Sequence, residues 1–275
     1  MKRCPKCGTS FPDEANFCPK DAGRLVMDDG AGAAATGRSD LVGGRFKLGL
    51  AIGGGWTGQV HEAEDTQEGN QPCVLKLVDA AVFPTPLMLQ RTERELKQLE
   101  RLDAPGVARI IAHGREGEQM WVASELVHGT PLHDLIASQG PQPLDRATSI
   151  VLAIGRALSE SAKAGVIHRD LAPKNVMVVD DGVKLINFGV PVPGDGEVQG
   201  VPEFVSPEQV DGKPVDQRSN IYSLGAIYYY LLTGQPPFTG ERQAVLELHR
   251  SGTPHAPSQL AAVPPLVEAV VMKAL

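Results

Sequence analysis

The pattern of apolar and polar residues predicts strands in the first half of the chain and mainly helices in the second. Alternating or continuous apolar runs predict strands at Phe46–Ile52, Gln59–Glu64, Val74–Val78 and Met120–Leu126. Helical spacing predicts helices at Met88–Leu102, Leu144–Lys163 and Tyr222–Leu232. Leucines 89, 96, 99 and 102 share one stripe of the first helix, which therefore has a face suited to a core.

The composition limits which partners and which cellular location we expect for the protein. The 275 residues, 42% of them hydrophobic, suffice for one large core and a small extra module. The net charge of −7 is spread thinly and there is no long basic run, so we expect no nucleic-acid partner. The sequence has no run of 18 apolar residues, so no membrane segment is predicted. Its N-terminus is not an apolar signal segment, so we expect a cytoplasmic protein.

Cysteine spacing near the N-terminus predicts a metal site. Cys4 and Cys7 form a C-x-x-C pair, and ten residues separate Cys7 from Cys18, with Asp21 at the fourth position. Two such knuckles can hold Zn²⁺ tetrahedrally, here with a Cys3Asp ligand set, and residues 1–27 resemble a short zinc ribbon with a protein-docking or sensing role. A degenerate ribbon without metal and a redox C-x-x-C are the alternatives. Without zinc so short a segment could bury little core.

Residues 28–40, rich in Gly, Ala and polar side chains, are typical of a flexible linker. The fourth cysteine, Cys73, lies in a predicted strand and is expected to be a small core residue.

Several motifs after the linker occur in a fixed order. Gly53–Val60 fits G-x-G-x-x-G-x-V, Lys76 follows 23 residues after Gly53, and Glu95 follows 19 residues after Lys76. The later motifs are His168-Arg169-Asp170-Leu171-Ala172-Pro173-Lys174-Asn175, Asn187-Phe188-Gly189 and Ser206-Pro207-Glu208. Together they resemble the bacterial Hanks-type Ser/Thr protein kinases, over roughly Leu41 to Leu275.

The resemblance implies an α+β, bilobal protein-kinase-like fold, with a β-rich N-lobe and a helical C-lobe, preceded by the zinc ribbon. Residues 41–275 would form this domain. The family's last helix, with the Arg that pairs with Glu208, is not found before Leu275, so we expect the domain to be C-terminally incomplete.

The resemblance also implies a site for ATP or ADP. Lys76 would hold the α- and β-phosphates and pair with Glu95, with Glu93 as the second candidate on the same helix. Ser124 would be a small residue at the back of the adenine pocket. The other implied contacts are Gly53, Gly55 and Gly58 over the phosphates, Val60, Val74 and Met177 around the base, and Glu125 and Leu126 at the hinge.

Four departures surround the catalytic residues that the resemblance implies. Asp170 would be the base and Asn175 would bind the second metal ion. Asn187 replaces the Asp that holds Mg²⁺, so this metal site is impaired, because an amide offers a dipole where a carboxylate offers a charge. The other three departures are Ala172 for Lys, Val201 for Thr and Asn220 for Asp.

Two further features bear on activity. Lys174 could replace the missing lysine, or it could simply be an exposed surface residue. The segment from Phe188 to Val205 contains no Ser, Thr or Tyr, so phosphorylation cannot order it, and Arg169 is expected to lack its usual phosphate partner.

These features favour a pseudokinase that binds ATP or ADP and acts as a regulatory or scaffolding module with an unidentified protein partner. A weakly active Ser/Thr kinase is the alternative, with Asp170 as base and Asn175 and Asn187 as metal contacts. A nucleic-acid-binding role of the ribbon is a third possibility, against which the charge balance argues.

Overall fold

The computed structural model describes residues 41–55, 58–79, 82–83, 85–188 and 200–275, and three short strands before them. The chain divides into two compact units, residues 1–41 and 42–275. In the first unit, β1 (Lys2–Arg3) pairs antiparallel with β2 (Ser10–Phe11) and β3 (Val26–Met27). The predicted zinc ligands Cys4, Cys7, Cys18 and Asp21, and the predicted linker 28–40, lie outside the described residues.

The second unit begins with a six-stranded sheet in the order β4-β5-β6-β7-β9-β8, which we call the N-lobe together with its helix α1. The strands are β4 (Leu41–Val42), β5 (Phe46–Gly55), β6 (Gly58–Asp65), β7 (Gln71–Asp79), β8 (Ile110–Glu116) and β9 (Gln119–Glu125). Each predicted strand is therefore confirmed. The register pairs Val60 with Lys76 and Lys76 with Val122, which fixes the position of Lys76 in the middle of the sheet.

One face of this sheet carries a small apolar cluster of its own. Phe46 and Trp121 pack with ring centroids 5.4 Å apart, and Cys73 is fully buried beside them, as predicted for a core residue. Gly43, in the turn between β4 and β5, adopts φ +61°, and a Cβ there would lie 2.4 Å from the Trp121 ring. The turn can therefore cover the indole only with glycine at this position.

Helix α1 (Pro86–Leu99) lies against the sheet through Leu96 and Leu99, which are buried. It begins two residues before the predicted Met88 because the Thr85 side chain accepts a hydrogen bond from the Met88 N–H and proline occupies the first turn. It ends at Leu99, three residues short of the prediction, while Leu102 still packs on the core from the following turn.

The C-lobe follows β9 and is mainly helical. Its helices are α2 (Leu132–Gln139), α3 (Leu144–Lys163), α4 (Pro207–Val210), α5 (Gln217–Thr233), α6 (Arg242–Ser251) and α7 (Pro265–Ala274). A small antiparallel sheet contains β10 (Thr130–Pro131), β11 (Val176–Val179) and β12 (Gly182–Leu185). Helix α3 has the predicted bounds, and α5 begins five residues earlier than predicted because Asp216 caps it.

One large core connects the two lobes and places the loops of interest between them. It contains Leu96 and Leu99 from α1, Ile154 from α3 and Leu231 from α5. A parallel bridge between Val107 and Leu185 joins the segment before β8 to the end of β12. None of the helices among the described residues is long and apolar enough to cross a membrane.

Candidate nucleotide and catalytic site

The loop 168–175 lies between α3 and β11, where core packing fixes its backbone. The buried His168 ring packs on Phe188 with centroids 4.4 Å apart, and burial lowers the pKa of His168 to about 4. Arg169 adopts φ +65°, a sparsely populated conformation for a non-glycine residue, and its carbonyl accepts a 2.7 Å hydrogen bond from Gln209 Nε2. The first two residues of the loop are thus held by contacts to Phe188 and Gln209.

Asp170, Asn175 and Asn187 form one hydrogen-bonded group. Asn175 Nδ2 donates to the Asp170 carbonyl at 2.7 Å and to Asp170 Oδ2 at 3.0 Å. Asn187 Nδ2 donates to Asn175 Oδ1 at 2.7 Å. Lys174 Nζ lies 3.5 Å from Asp170 Oδ2, with the lysine side chain 45% exposed, so the lysine faces the carboxylate and solvent at once.

This donor set does not fit Mg²⁺. A hard cation selects carboxylate and other oxygen ligands. Here the Asn175 oxygen already accepts from an N–H, Asn187 directs its NH₂ inward, and the carboxylate of Asp170 is engaged by Asn175 and Lys174. No cluster of three His, Cys, Asp or Glu suited to a metal occurs among the side chains that the structure describes.

The predicted pair between Lys76 and Glu95 is wrong in this structure. Glu95, buried on α1, accepts from Arg169 Nη1 at 2.5 Å and Nη2 at 2.7 Å, and lies 3.4 Å from Arg91 Nε. The segment 188–205 lacks a hydroxyl that could become a phosphate, and Arg169 pairs with the buried carboxylate of Glu95 instead. The carboxylate of Glu95 therefore ties α1 to the loop 168–175.

Lys76 lies at a small cavity between the lobes. Burial lowers the pKa of its ammonium from 10.5 to about 8, while the charge of Asp170 opposes this shift. The enclosed part of the cavity has a volume of about 30 Å³, room for about two water molecules. The lining residues are Val60, Val74, Lys76, Ala108, Ile110, Val122, Ser124, Asn187 and Phe188.

Sequence reasoning did not assign three of the lining residues to the site, namely Val122, Ala108 and Ile110. Ala108 and Ile110 precede or begin β8, a strand that the motif analysis did not identify. The signal that could have found them is the apolar run Val107-Ala108-Arg109-Ile110-Ile111. The predicted base contacts Val60 and Val74 do line the cavity, whereas Met177 lies on β11, paired in register with Lys184.

The glycines of the predicted phosphate loop form a tight hairpin. Strand β5 continues through Gly53 to Gly55, and Gly55 pairs with Gly58. Gly58 adopts φ +127°, and a Cβ there would lie 1.8 Å from the Leu77 carbonyl oxygen. Only glycine therefore allows β6 to start this close to β7. Residues 56–57 lie outside the described part of the chain.

The hinge segment is fixed by Lys184, a residue that the sequence analysis did not identify. Glu125 forms an ion pair with Lys184 of β12, and its backbone N–H donates to the Arg109 carbonyl at 2.9 Å. Leu126 follows as the partly buried first residue after β9. The pair links the end of the N-lobe sheet to the small sheet of the C-lobe.

The other departures sit around the same loop. Gly200, at φ +101°, approaches Asp170 so closely that a Cβ would lie 2.8 Å from Oδ1. Val201 packs against the core, Ala172 is buried, and Asn220 Nδ2 donates to Gln217 Oε1 at 3.1 Å.

Glu208 was expected to lack the arginine of the family. In this structure it accepts a hydrogen bond from the Ser219 hydroxyl. Its carboxylate is therefore held by a neutral donor rather than by a described arginine.

The structure has two lobes joined by a hinge, with a lysine in the upper sheet and a loop bearing Asp170 below it. This arrangement is typical of bilobal folds that bind a nucleotide between the lobes. A family model described as "Protein kinase domain" matches residues 46–259. The chain belongs to the protein kinase family, and the predicted bilobal α+β fold is confirmed.

Similar proteins whose functions are described are also serine/threonine-protein kinases. The chain is 35% identical over 246 residues to a probable serine/threonine-protein kinase PknB of Bifidobacterium longum, covering 82% of this chain and 35% of the relative. It is 33% identical over 234 residues to a probable serine/threonine-protein kinase of Corynebacterium efficiens, covering 80% and 35%. It is 30% identical over 243 residues to serine/threonine-protein kinase PknL of Mycobacterium bovis, covering 85% and 61%.

The resemblance to bacterial Hanks-type Ser/Thr kinases is thereby confirmed. The chain spans between 35% and 61% of the length of these three relatives.

Proposed function

We propose that this protein is a pseudokinase that binds ATP or ADP between its lobes and acts as a regulatory or scaffolding module in Ser/Thr kinase signalling. The protein would bind the nucleotide at Lys76 and the residues around it, but would not transfer phosphate. The unidentified protein partner would recognise the conformation of the N-lobe relative to the loop 168–175.

The hydrogen bond from Asn187 to Asn175 carries this proposal. It joins the two side chains that would have to present oxygens to Mg²⁺: it occupies the Asn175 oxygen with an N–H donor and turns the NH₂ group of Asn187, rather than its oxygen, toward Asn175. Phosphoryl transfer depends on positioning and on electrostatic stabilisation by the metal ions. Loss of one preorganised electrostatic contact costs about 10²–10³-fold in rate in other enzymes. The engagement of Glu95 by Arg169 points the same way, because it withholds this carboxylate from Lys76.

Transfer of labelled γ-phosphate tests the proposal. The protein would be incubated with ATP and either Mg²⁺ or Mn²⁺, alone and with a generic Ser/Thr substrate, beside Asp170→Ala. We expect no incorporation above that of the variant, together with measurable binding of ADP.

The weakly active kinase remains the rival, and the intact Asp170 with Lys174 3.5 Å away favours it. Incorporation that disappears in Asp170→Ala and rises in Asn187→Asp would refute the pseudokinase proposal. It would identify Asp170 as the base and position 187 as the limiting metal contact.

We also propose that residues 1–27 bind one Zn²⁺ through Cys4, Cys7, Cys18 and Asp21, on the basis of the C-x-x-C spacing. Metal analysis of protein purified without added zinc should give about one Zn²⁺ per chain. Cys7→Ser should remove the zinc, and Cys73→Ser, which changes the buried cysteine of the N-lobe, should retain it.

A further inference from the structure

The orientation of the Asn175 amide is fixed by its neighbours. Its Nδ2 faces two oxygens of Asp170, the carbonyl at 2.7 Å and Oδ2 at 3.0 Å, and both can only accept from it. The side-chain oxygen of Asn175 must therefore point the other way, and a donor has to meet it because the residue is buried. Asn187 Nδ2, 2.7 Å away, is that donor.

An aspartate at position 187 would reverse this contact. Two oxygens at the separation that Asn187 and Asn175 show need a proton or a cation between them. The NH₂ group of Asn187 supplies the hydrogen itself, so the loop 168–175 and residue 187 are joined without an ion. The amide of Asn187 thus bridges to Asn175 directly, whereas a carboxylate at this position could bridge to Asn175 only through a metal ion.

The charges around this group also balance without a metal. The carboxylate of Glu95 is paired with Arg169, and Asp170 faces Lys174 at 3.5 Å. Asn175 and Asn187 are neutral. Lys76 feels the charge of Asp170 but forms no ion pair among the described residues, so its ammonium is available to a phosphate. An anion can approach it without a divalent cation to screen carboxylates.

We propose that the site binds ADP and ATP without a divalent cation, with Lys76 facing the phosphates and the Asn187 amide holding Asn175 in the place of a metal bridge. This inference rests on the proposed nucleotide-binding function. It names the ligand as the free nucleotide anion rather than its Mg²⁺ complex, and it assigns to Asn187 a positioning role.

The backbone makes Asn187→Asp a clean test. Asn187 adopts φ +64°, a region that both Asn and Asp tolerate better than other residues, so the substitution changes charge and hydrogen bonding with little change in backbone strain. Asn70 gives a matched control. It also has a positive φ, +61°, and is exposed in the turn between β6 and β7. Asn70→Asp adds the same charge away from the site.

Calorimetric titration with ADP and with ATP, each in EDTA and in excess Mg²⁺, would measure the effect. For the natural protein and for Asn70→Asp we expect dissociation constants in the two buffers that agree within about threefold. For Asn187→Asp we expect binding in EDTA to weaken at least about tenfold, since a new carboxylate beside the phosphates repels them, and Mg²⁺ to restore it. Adenosine in parallel measures the contribution of the phosphates.

The outcomes separate the two proposals. Binding by the natural protein only in Mg²⁺ would overturn the metal-free inference and leave the nucleotide-binding function standing. Absence of binding in both buffers, with circular dichroism showing folded protein, would overturn both. The natural protein alone gives this result, so the inference stays testable even if Asn187→Asp does not fold. Paramagnetic resonance of Mn²⁺ with ADP adds a direct reading, with bound Mn²⁺ expected for Asn187→Asp and not for Asn70→Asp.

Discussion

At the residue scale, buried titratable groups set how the fold responds to acid. His249 on α6 is buried, its Nδ1 lies 2.6 Å from the Tyr222 hydroxyl, and its ring packs edge-on against Phe238 with centroids 5.0 Å apart. Burial lowers the pKa of His249 from 6.5 to about 4. The folded protein therefore resists protonation of this ring, whereas the unfolded chain accepts a proton below pH 6.5.

The sign of the effect follows from that difference. A histidine with a lowered folded pKa contributes its full stability above pH 6.5 and loses it as pH falls toward 4. Between pH 7.5 and 5.0 His249 should cost the fold about 2 kcal/mol. In urea unfolding at these two pH values, His249→Phe should reduce the difference by about that amount. His255→Gln, at an exposed histidine, should leave it unchanged, and an equal effect of both would contradict the assignment.

At the scale of elements, an enclosed ion pair joins α1 to the loop 168–175. The side chains of Glu95 and Arg169 are only 10% and 12% exposed, and they share two hydrogen bonds. A pair this enclosed gains from its bidentate geometry, and removal of one partner leaves the other charge buried and alone. The position of α1 is thus set by a contact to the C-lobe rather than by the sheet beneath it alone.

Glu95→Gln should release α1. We expect a loss of about 3 kcal/mol in the free energy of unfolding and faster hydrogen exchange of the amides of Pro86–Leu99. Glu93→Gln, on the same helix, should change stability by less than about 0.5 kcal/mol. Equal exchange in the two variants would show that the pair does not hold the helix.

The elements were more predictable from sequence than their contacts. The period of apolar residues gave α3 its bounds because a long amphipathic helix repeats its signal over many turns. The motifs also predicted that Asp170, Asn175 and Asn187 belong to one site, because their order and spacing identify the family. The partner of Glu95 was predicted wrongly, because motif spacing gives the order of charged groups and not which of two cations, Lys76 or Arg169, meets the carboxylate.

At the scale of the whole molecule, the N-lobe depends on residues just before the matched family region, which starts at residue 46. Arg45 donates from Nε and Nη2 to the two oxygens of Asp65, each at 2.7 Å, and the Asp65 side chain is 2% exposed. The Arg45 guanidinium holds the pKa of Asp65 below its usual range. Gly43 lies on Trp121 just before it.

Two fragments test this dependence. A fragment that begins at residue 39 keeps β4, Gly43 and Arg45, and should unfold in urea with the same midpoint as residues 42–275 in the whole chain. A fragment that begins at residue 46 leaves Asp65 buried without its partner and should be less stable by about 3–5 kcal/mol. Equal midpoints for the two fragments would show that the turn 43–45 contributes nothing to the lobe.

The packing of Gly43 on Trp121 has an optical consequence. The chain contains two tryptophans, and the other, Trp56, belongs to the glycine-rich motif. In a Trp56→Phe variant, excited at a wavelength that tyrosine does not absorb, the emission of the protein would come from Trp121, a buried indole whose spectrum shifts to the red when water reaches it. The tryptophan emission would then report the opening of the N-lobe separately from the C-lobe, which contains no tryptophan.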